Sequence, residues 1–115
     1  MTRVLVIDDD VAVAEVLRVV LEEGEFEVTV LSGPSDVPTK RFDCIVTDLV
    51  GMRLYSFAEA REWVVRVADA YPDTPVIVAT AHSRAGRDAE RLGVQIITKP
   101  FEVDELIALV REVTS

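Results

Sequence analysis

Five short runs rich in Val and Ile recur along the chain: RVLVI (3–7), EVTVL (27–31), DCIVT (43–47), PVIVA (75–79) and VQIIT (94–98). That composition suits parallel strands buried on both faces. Segments with helical spacing separate the runs, and strands alternating with helices argue for βαβ crossovers. The expected fold is therefore α/β, a doubly wound parallel sheet of five strands. At 115 residues and 50% hydrophobic composition, the chain suits one domain with one real core. Residues 1–115 are accordingly read as a single domain with no effector domain.

Three intervening helices are legible. One spans Val11 to about Glu23, with Val13, Val16, Leu17, Val20 and Leu21 on one stripe, Asp10 as N-cap and Gly24 as stop. Another begins at Ser56, where Ser56 and Glu59 form an S-x-x-E capping pattern, and runs to about Tyr71. Its inner stripe is Ala60, Val64, Val67 and Tyr71, with Trp63 at the edge. The last covers about Val103 to Val113, with Asp104 and Glu105 in its first turn and Val103, Leu106, Ile107 and Val110 inward. Two crossovers are weak. SGPSDVPTKRF (32–42) leaves room for little more than one helical turn, because of Gly33, Pro34 and Pro38. HSRAGRDAERLG (82–93), with Ala81 just before it, offers only Ala81, Ala85, Ala89 and Leu92 as an apolar stripe, with Gly86 inside it, and predicts a short, loosely held helix.

The polar residues at the ends of the runs carry the chemistry. Asp8 and Asp9 follow the first run, Asp48 the third, Thr80 the fourth and Lys99 the fifth. In an open parallel sheet the carboxyl ends of the strands share one edge, and ligands bind there at the point where strand order reverses. All five residues converge if the order is 2-1-3-4-5, the flavodoxin-like arrangement. Carboxylates brought together repel one another unless a cation compensates, and a hard divalent ion such as Mg²⁺ suits oxygen ligands.

These residues, in VIDDD, IVTDL, VIVATA and TKPF, resemble the receiver domains of two-component response regulators, the CheY-like family. The resemblance runs from the first strand to the last helix. It implies that Asp48 takes a phosphoryl group from a histidine kinase or phosphotransfer protein, forming an acyl phosphate with Mg²⁺ as cofactor. Asp9 and Asp48 would then bind Mg²⁺, Asp8 would do so through water, and the Val50 carbonyl would supply a further ligand. Lys99 would pair with Asp48 and then with phosphoryl oxygens, and the Thr80 hydroxyl would turn inward to donate to the phosphoryl group. The Lys99–Pro100 bond would be cis, and the protein would be no enzyme beyond its own phosphorylation and dephosphorylation. In the family the second residue after the phosphoacceptor and the second after the threonine bear on acyl phosphate lifetime. Here they are Val50 and His82. An apolar Val50 cannot orient a hydrolytic water, which implies slow self-dephosphorylation, with His82 either shielding the phosphoryl group or facing solvent.

The chain departs from the family in three places. Gly51 and Met52 stand where Met-Pro is common, Ile96 stands where an aromatic residue usually swings with phosphorylation, and the two weak crossovers are short. A phosphorylation-independent, receiver-like interaction module is therefore an alternative reading. A haloacid dehalogenase-like phosphatase, with Asp8 as nucleophile and Asp10 as acid, is a second. It would need a late acidic pair and a cap domain, for which this chain has neither residues nor length.

Charge and composition bound the partners. A formal charge of −9 opposes direct binding to nucleic acid. No apolar stretch reaches the roughly 18 residues that a membrane span needs. The single cysteine, Cys44, lies in an apolar run and suits a reducing cytoplasm. The expected partners are a phosphodonor protein and a downstream protein target, with the chain a monomer or weak homodimer.

Overall fold

A computed structural model describes residues 1–33 and 41–115. The strands are β1 (Arg3–Ile7), β2 (Glu27–Leu31), β3 (Cys44–Thr47), β4 (Val76–Thr80) and β5 (Gln95–Thr98). The helices are α1 (Val11–Glu23), α2 (Phe57–Ala70), α3 (Ala89–Leu92) and α4 (Val103–Thr114), with a 3₁₀ segment, Ser83–Asp88, leading into α3. The short helical turn expected within residues 32–42 falls largely on 34–40, outside the described residues.

All strands pair in parallel in the order β2-β1-β3-β4-β5, as expected for the flavodoxin-like arrangement. Successive side chains of a strand point to opposite faces, so each central strand feeds two cores. Leu5, Ile7, Ile45 and Val78 pack with Ala60, Val64 and Val67 of α2. Val4, Val6, Val46, Ile77 and Ala79 pack with Leu17 and Leu21 of α1 and with Leu106 and Val110 of α4. The sheet is thus wound on both sides, with α2 and the 3₁₀–α3 segment on one face and α1 and α4 on the other.

Local chemistry sets the element ends. Asp10 sits in extended conformation (φ −88°, ψ 106°) and accepts from the N–H groups of Ala12 and Val13 at 3.0 and 3.2 Å. Ser56 caps α2 by accepting from the Glu59 N–H at 3.3 Å. Gly24 ends α1 by close approach rather than by a left-handed turn. Its φ is −78°, and Glu25 takes the positive φ of 69°. A Cβ on Gly24 would meet Ile107 Cγ1 and Phe26 Cε2 at 3.2 Å, so its bare backbone lets α4 close against α1.

The helix stripes need small corrections. Val16 and Val103 are 61% and 43% exposed rather than inward, because the cores on their side are filled by Ala14, Leu17, Leu21, Leu106 and Val110. Trp63 is buried rather than at the edge. The expected short helix after β4 is a six-residue 3₁₀ segment plus a single α-turn, with Ala85 and Leu92 buried. Among the described residues no helix is long and apolar enough to cross a membrane.

Candidate functional site

The strand ladder itself gathers the polar residues. Ile7 pairs with Thr47 across β1 and β3, and the Asp48 N–H donates to the Ile7 carbonyl at 2.9 Å, which sets Asp48 beside Asp8. Thr80 pairs with Thr98, and the Lys99 N–H donates to the Thr80 carbonyl at 2.8 Å, which carries Lys99 to the same edge. Asp8, Asp9, Asp48, Thr80 and Lys99 therefore meet at the carboxyl end of the sheet, as their places at the ends of the runs predict.

The Lys99 ammonium bridges two of the acids. Its Nζ donates to Asp8 Oδ2 at 3.1 Å and to Asp48 Oδ2 at 3.2 Å. The remaining oxygens have backbone donors: Asp8 Oδ1 accepts from the Asp10 N–H at 2.9 Å and Asp48 Oδ1 from the Leu49 N–H at 2.7 Å. Asp8 is buried, Asp48 half-buried and Asp9 exposed, and each offers a carboxylate oxygen within 4.8 Å of the others. One ammonium offsets only one of these three formal charges. A cluster of hard oxygen donors with an excess of negative charge fits Mg²⁺ better than a softer ion. Asp10 stands apart from this group, committed to the cap of α1.

Asp9, Asp48, Thr80, His82 and Met52 line a cavity of about 230 Å³ over the acids. Thr80 is fully buried, and its Oγ1 accepts from the His82 N–H at 3.1 Å. His82 lines the cavity rather than standing in open solvent, and its Nε2 donates to the Met52 carbonyl at 3.1 Å. That bond requires the Nε2-protonated ring, since a carbonyl only accepts. The Lys99–Pro100 bond is cis.

Two polar connections around the pocket have no counterpart in the sequence reading. The Trp63 Nε1–H donates to Thr47 Oγ1 at 3.0 Å, and that hydroxyl donates to the Asp48 carbonyl at 2.8 Å, tying α2 to the backbone of Asp48. On the other side the Tyr55 hydroxyl donates to Asp88 Oδ2 at 2.5 Å, and Arg91 donates to Asp88 Oδ1 at 3.3 Å while lying 3.8 Å over the Phe57 ring. Neither follows a period or a motif. A Trp placed next to an apolar stripe, with a Thr just before the strand-end acid, is the one sequence signal that could have found the first.

A family model described as the response regulator receiver domain matches residues 4–111. Sensory transduction protein RegX3 of Mycobacterium tuberculosis is 32% identical to this chain across 98% of it and 51% of that protein. The transcriptional regulatory protein DltR of Streptococcus agalactiae is 28% identical across 95% of the chain and 50% of that protein, so the chain spans about half the length of these curated relatives. Among solved structures, the receiver domain of Francisella response regulator 1452 superposes with a TM-score of 0.75 at 27% identity, covering 99% of this chain and 97% of that one.

Proposed function

The chain belongs to the response regulator receiver domain family, and from that premise we propose that it accepts a phosphoryl group on Asp48 from a histidine kinase or phosphotransfer protein. The observation that carries this reading is the meeting of Asp8, Asp9, Asp48 and Lys99 at one sheet edge, with Thr80 beside them. An Asp48 carboxylate oxygen attacks the phosphorus of the partner's phosphohistidine, the P–N bond breaks, and the acyl phosphate forms as the imidazole leaves. Lys99, already on Asp48 Oδ2, follows the new charge onto the phosphoryl oxygens. The buried Thr80 hydroxyl, relieved of the His82 N–H, turns to donate to the same group.

Asp8, Asp9, Asp48 and the Val50 carbonyl would hold Mg²⁺. Bound there, the ion supplies charge neutralisation for the transferring phosphoryl group. The chain acts chemically on itself alone, in the cytoplasm, as a single receiver unit, and signals by altered binding of a downstream protein. The relatives named above are regulatory and sensory proteins, which supports a signalling role.

Incubation with acetyl phosphate and Mg²⁺, followed by intact mass measurement, tests the proposal. A phosphoryl mass gain is expected in the wild type and is expected to vanish in Asp48→Asn and when Mg²⁺ is chelated. The half-buried Ile96, in the place of the family's moving aromatic, favours a second reading as an interaction module that works unphosphorylated. Absence of any mass gain in the wild type would select that reading.

A further inference from the structure

A receiver that takes up a phosphoryl group must pass the change to its surface, and β5 offers only Ile96 where an aromatic could move. The polar contacts around Thr80 lead elsewhere. The Thr80 hydroxyl accepts from the His82 N–H at 3.1 Å. The His82 ring donates to the Met52 carbonyl at 3.1 Å and lies against the Tyr55 ring, with centroids 6.3 Å apart. Tyr55 in turn donates to Asp88 Oδ2 at 2.5 Å, at the end of the 3₁₀ segment. Every link from the buried threonine to the segment Ser83–Leu92 is thus a direct contact.

We infer that Tyr55 is the phosphorylation-responsive aromatic of this chain, latched to Asp88 while Asp48 is unmodified and released once it carries a phosphoryl group. The inference rests on the phosphoacceptor reading of Asp48. When the Thr80 hydroxyl turns to the phosphoryl group, the His82 N–H loses its acceptor. The Ala85 N–H donates to the His82 carbonyl at 3.0 Å, so a shift at His82 is felt at once in the first 3₁₀ turn. The loop carrying Met52 and Tyr55 moves from its other end, because it follows Asp48 directly and turns at Gly51, whose φ of 78° lies in the region glycine favours. Tyr55 is therefore held between two parts of the molecule that both respond to the same event.

The segment it holds is suited to moving. Ser83–Leu92 is a six-residue 3₁₀ helix and one α-turn, buried mainly through Ala85 and Leu92, so few apolar contacts resist its opening. Arg91 closes the latch from outside, donating to Asp88 while stacked on Phe57 at the start of α2. Burial first, then the hydrogen bond to Asp88 and its charge, push the Tyr55 hydroxyl up to about 12, so it remains a neutral donor across physiological pH.

Peptide-level hydrogen exchange of residues 83–92, with and without acetyl phosphate and Mg²⁺, tests the latch. In the wild type, phosphorylation is expected to speed exchange there by about tenfold, the scale of losing one hydrogen bond to a charged acceptor. Tyr55→Phe keeps the ring and removes only the hydroxyl. It is expected to exchange at the fast rate before phosphorylation, to gain little afterwards, and to be phosphorylated as fully as the wild type. Asp88→Asn keeps one acceptor oxygen but loses the charge and the acceptor for Arg91, and before phosphorylation it is expected to exchange faster than the wild type and no faster than Tyr55→Phe. Full phosphorylation with unchanged exchange at 83–92, or a Tyr55→Phe protein that exchanges slowly until phosphorylated, would overturn the latch while leaving Asp48 as phosphoacceptor. No phosphoryl uptake by the wild type would overturn both.

Discussion

Thr47 shows how one buried hydroxyl can serve two masters. It is fully buried, accepts from Trp63 and donates to the carbonyl of Asp48, so its proton and a lone pair are both committed. Removing one partner strands the other in an apolar core, where an unsatisfied group costs about 1–3 kcal/mol. Trp63→Phe is expected to lower unfolding free energy by about 1–2 kcal/mol, and Thr47→Val by a similar amount. The double variant is expected to lose less than the sum, because the second change removes a group already left without its partner. Urea unfolding with a shared slope measures all three. Additive losses would show that the bond carries no coupling. The Asp8-Asp9-Asp10 triplet divides by residue as well: Asp8 faces Lys99, Asp9 faces the cavity and Asp10 faces its own helix.

At the scale of elements, that division becomes measurable. Asp10→Ala is expected to cost about 1 kcal/mol through loss of the α1 cap. Asp9→Ala, exposed and uncommitted to any helix, is expected to leave stability within about 0.5 kcal/mol. Calorimetric titration with Mg²⁺ should give the reverse ranking, with uptake kept in Asp10→Ala and lost in Asp9→Ala. Equal effects in both assays would undo the assignment. The elements themselves are largely legible in the sequence: α1 begins after Asp10 and stops before Gly24, as its caps dictate, and the strand ends fall within a residue of the apolar runs. The five polar residues are legible for the same reason, each standing within two residues of the end of a run. The Tyr55–Asp88 and Trp63–Thr47 bonds are not, since they join residues 33 and 16 apart in sequence, one from a loop to the 3₁₀ segment and the other from α2 to the end of β3, with no period to betray them. Val16 and Val103 mislead in the opposite sense, because a helical stripe marks what can be buried and not how much core is left to bury it.

At the scale of the whole molecule, three ionisable side chains among the described residues, Cys44, Tyr55 and Tyr71, are held neutral by their surroundings. Burial pushes the Cys44 thiol from an ordinary 9.0 to about 12, Tyr55 rises from 10.0 to about 12, and burial raises Tyr71 as well. Each has a folded value above its unfolded one, so its contribution to stability is whole below the unfolded value and is lost as pH climbs toward the folded one. Unfolding midpoints in urea are therefore expected to hold steady up to about pH 8.5 and to fall through about pH 9–12. Absorbance titration of the phenols should place both tyrosines above the ordinary range in the native protein and return them to it in urea. A midpoint that stays flat through this range would contradict the burial of these groups.

Lys99 joins Asp8 across 91 residues of sequence and Asp48 across 51. Of the polar side chains that form the pocket, it leaves the ribosome last. With β5 detached, Asp8 and Asp48 lack the ammonium that bridges them. In the phosphoacceptor reading, the pocket is therefore assembled only once the final strand has docked, and the charge balance of the site doubles as a report that the sheet is whole.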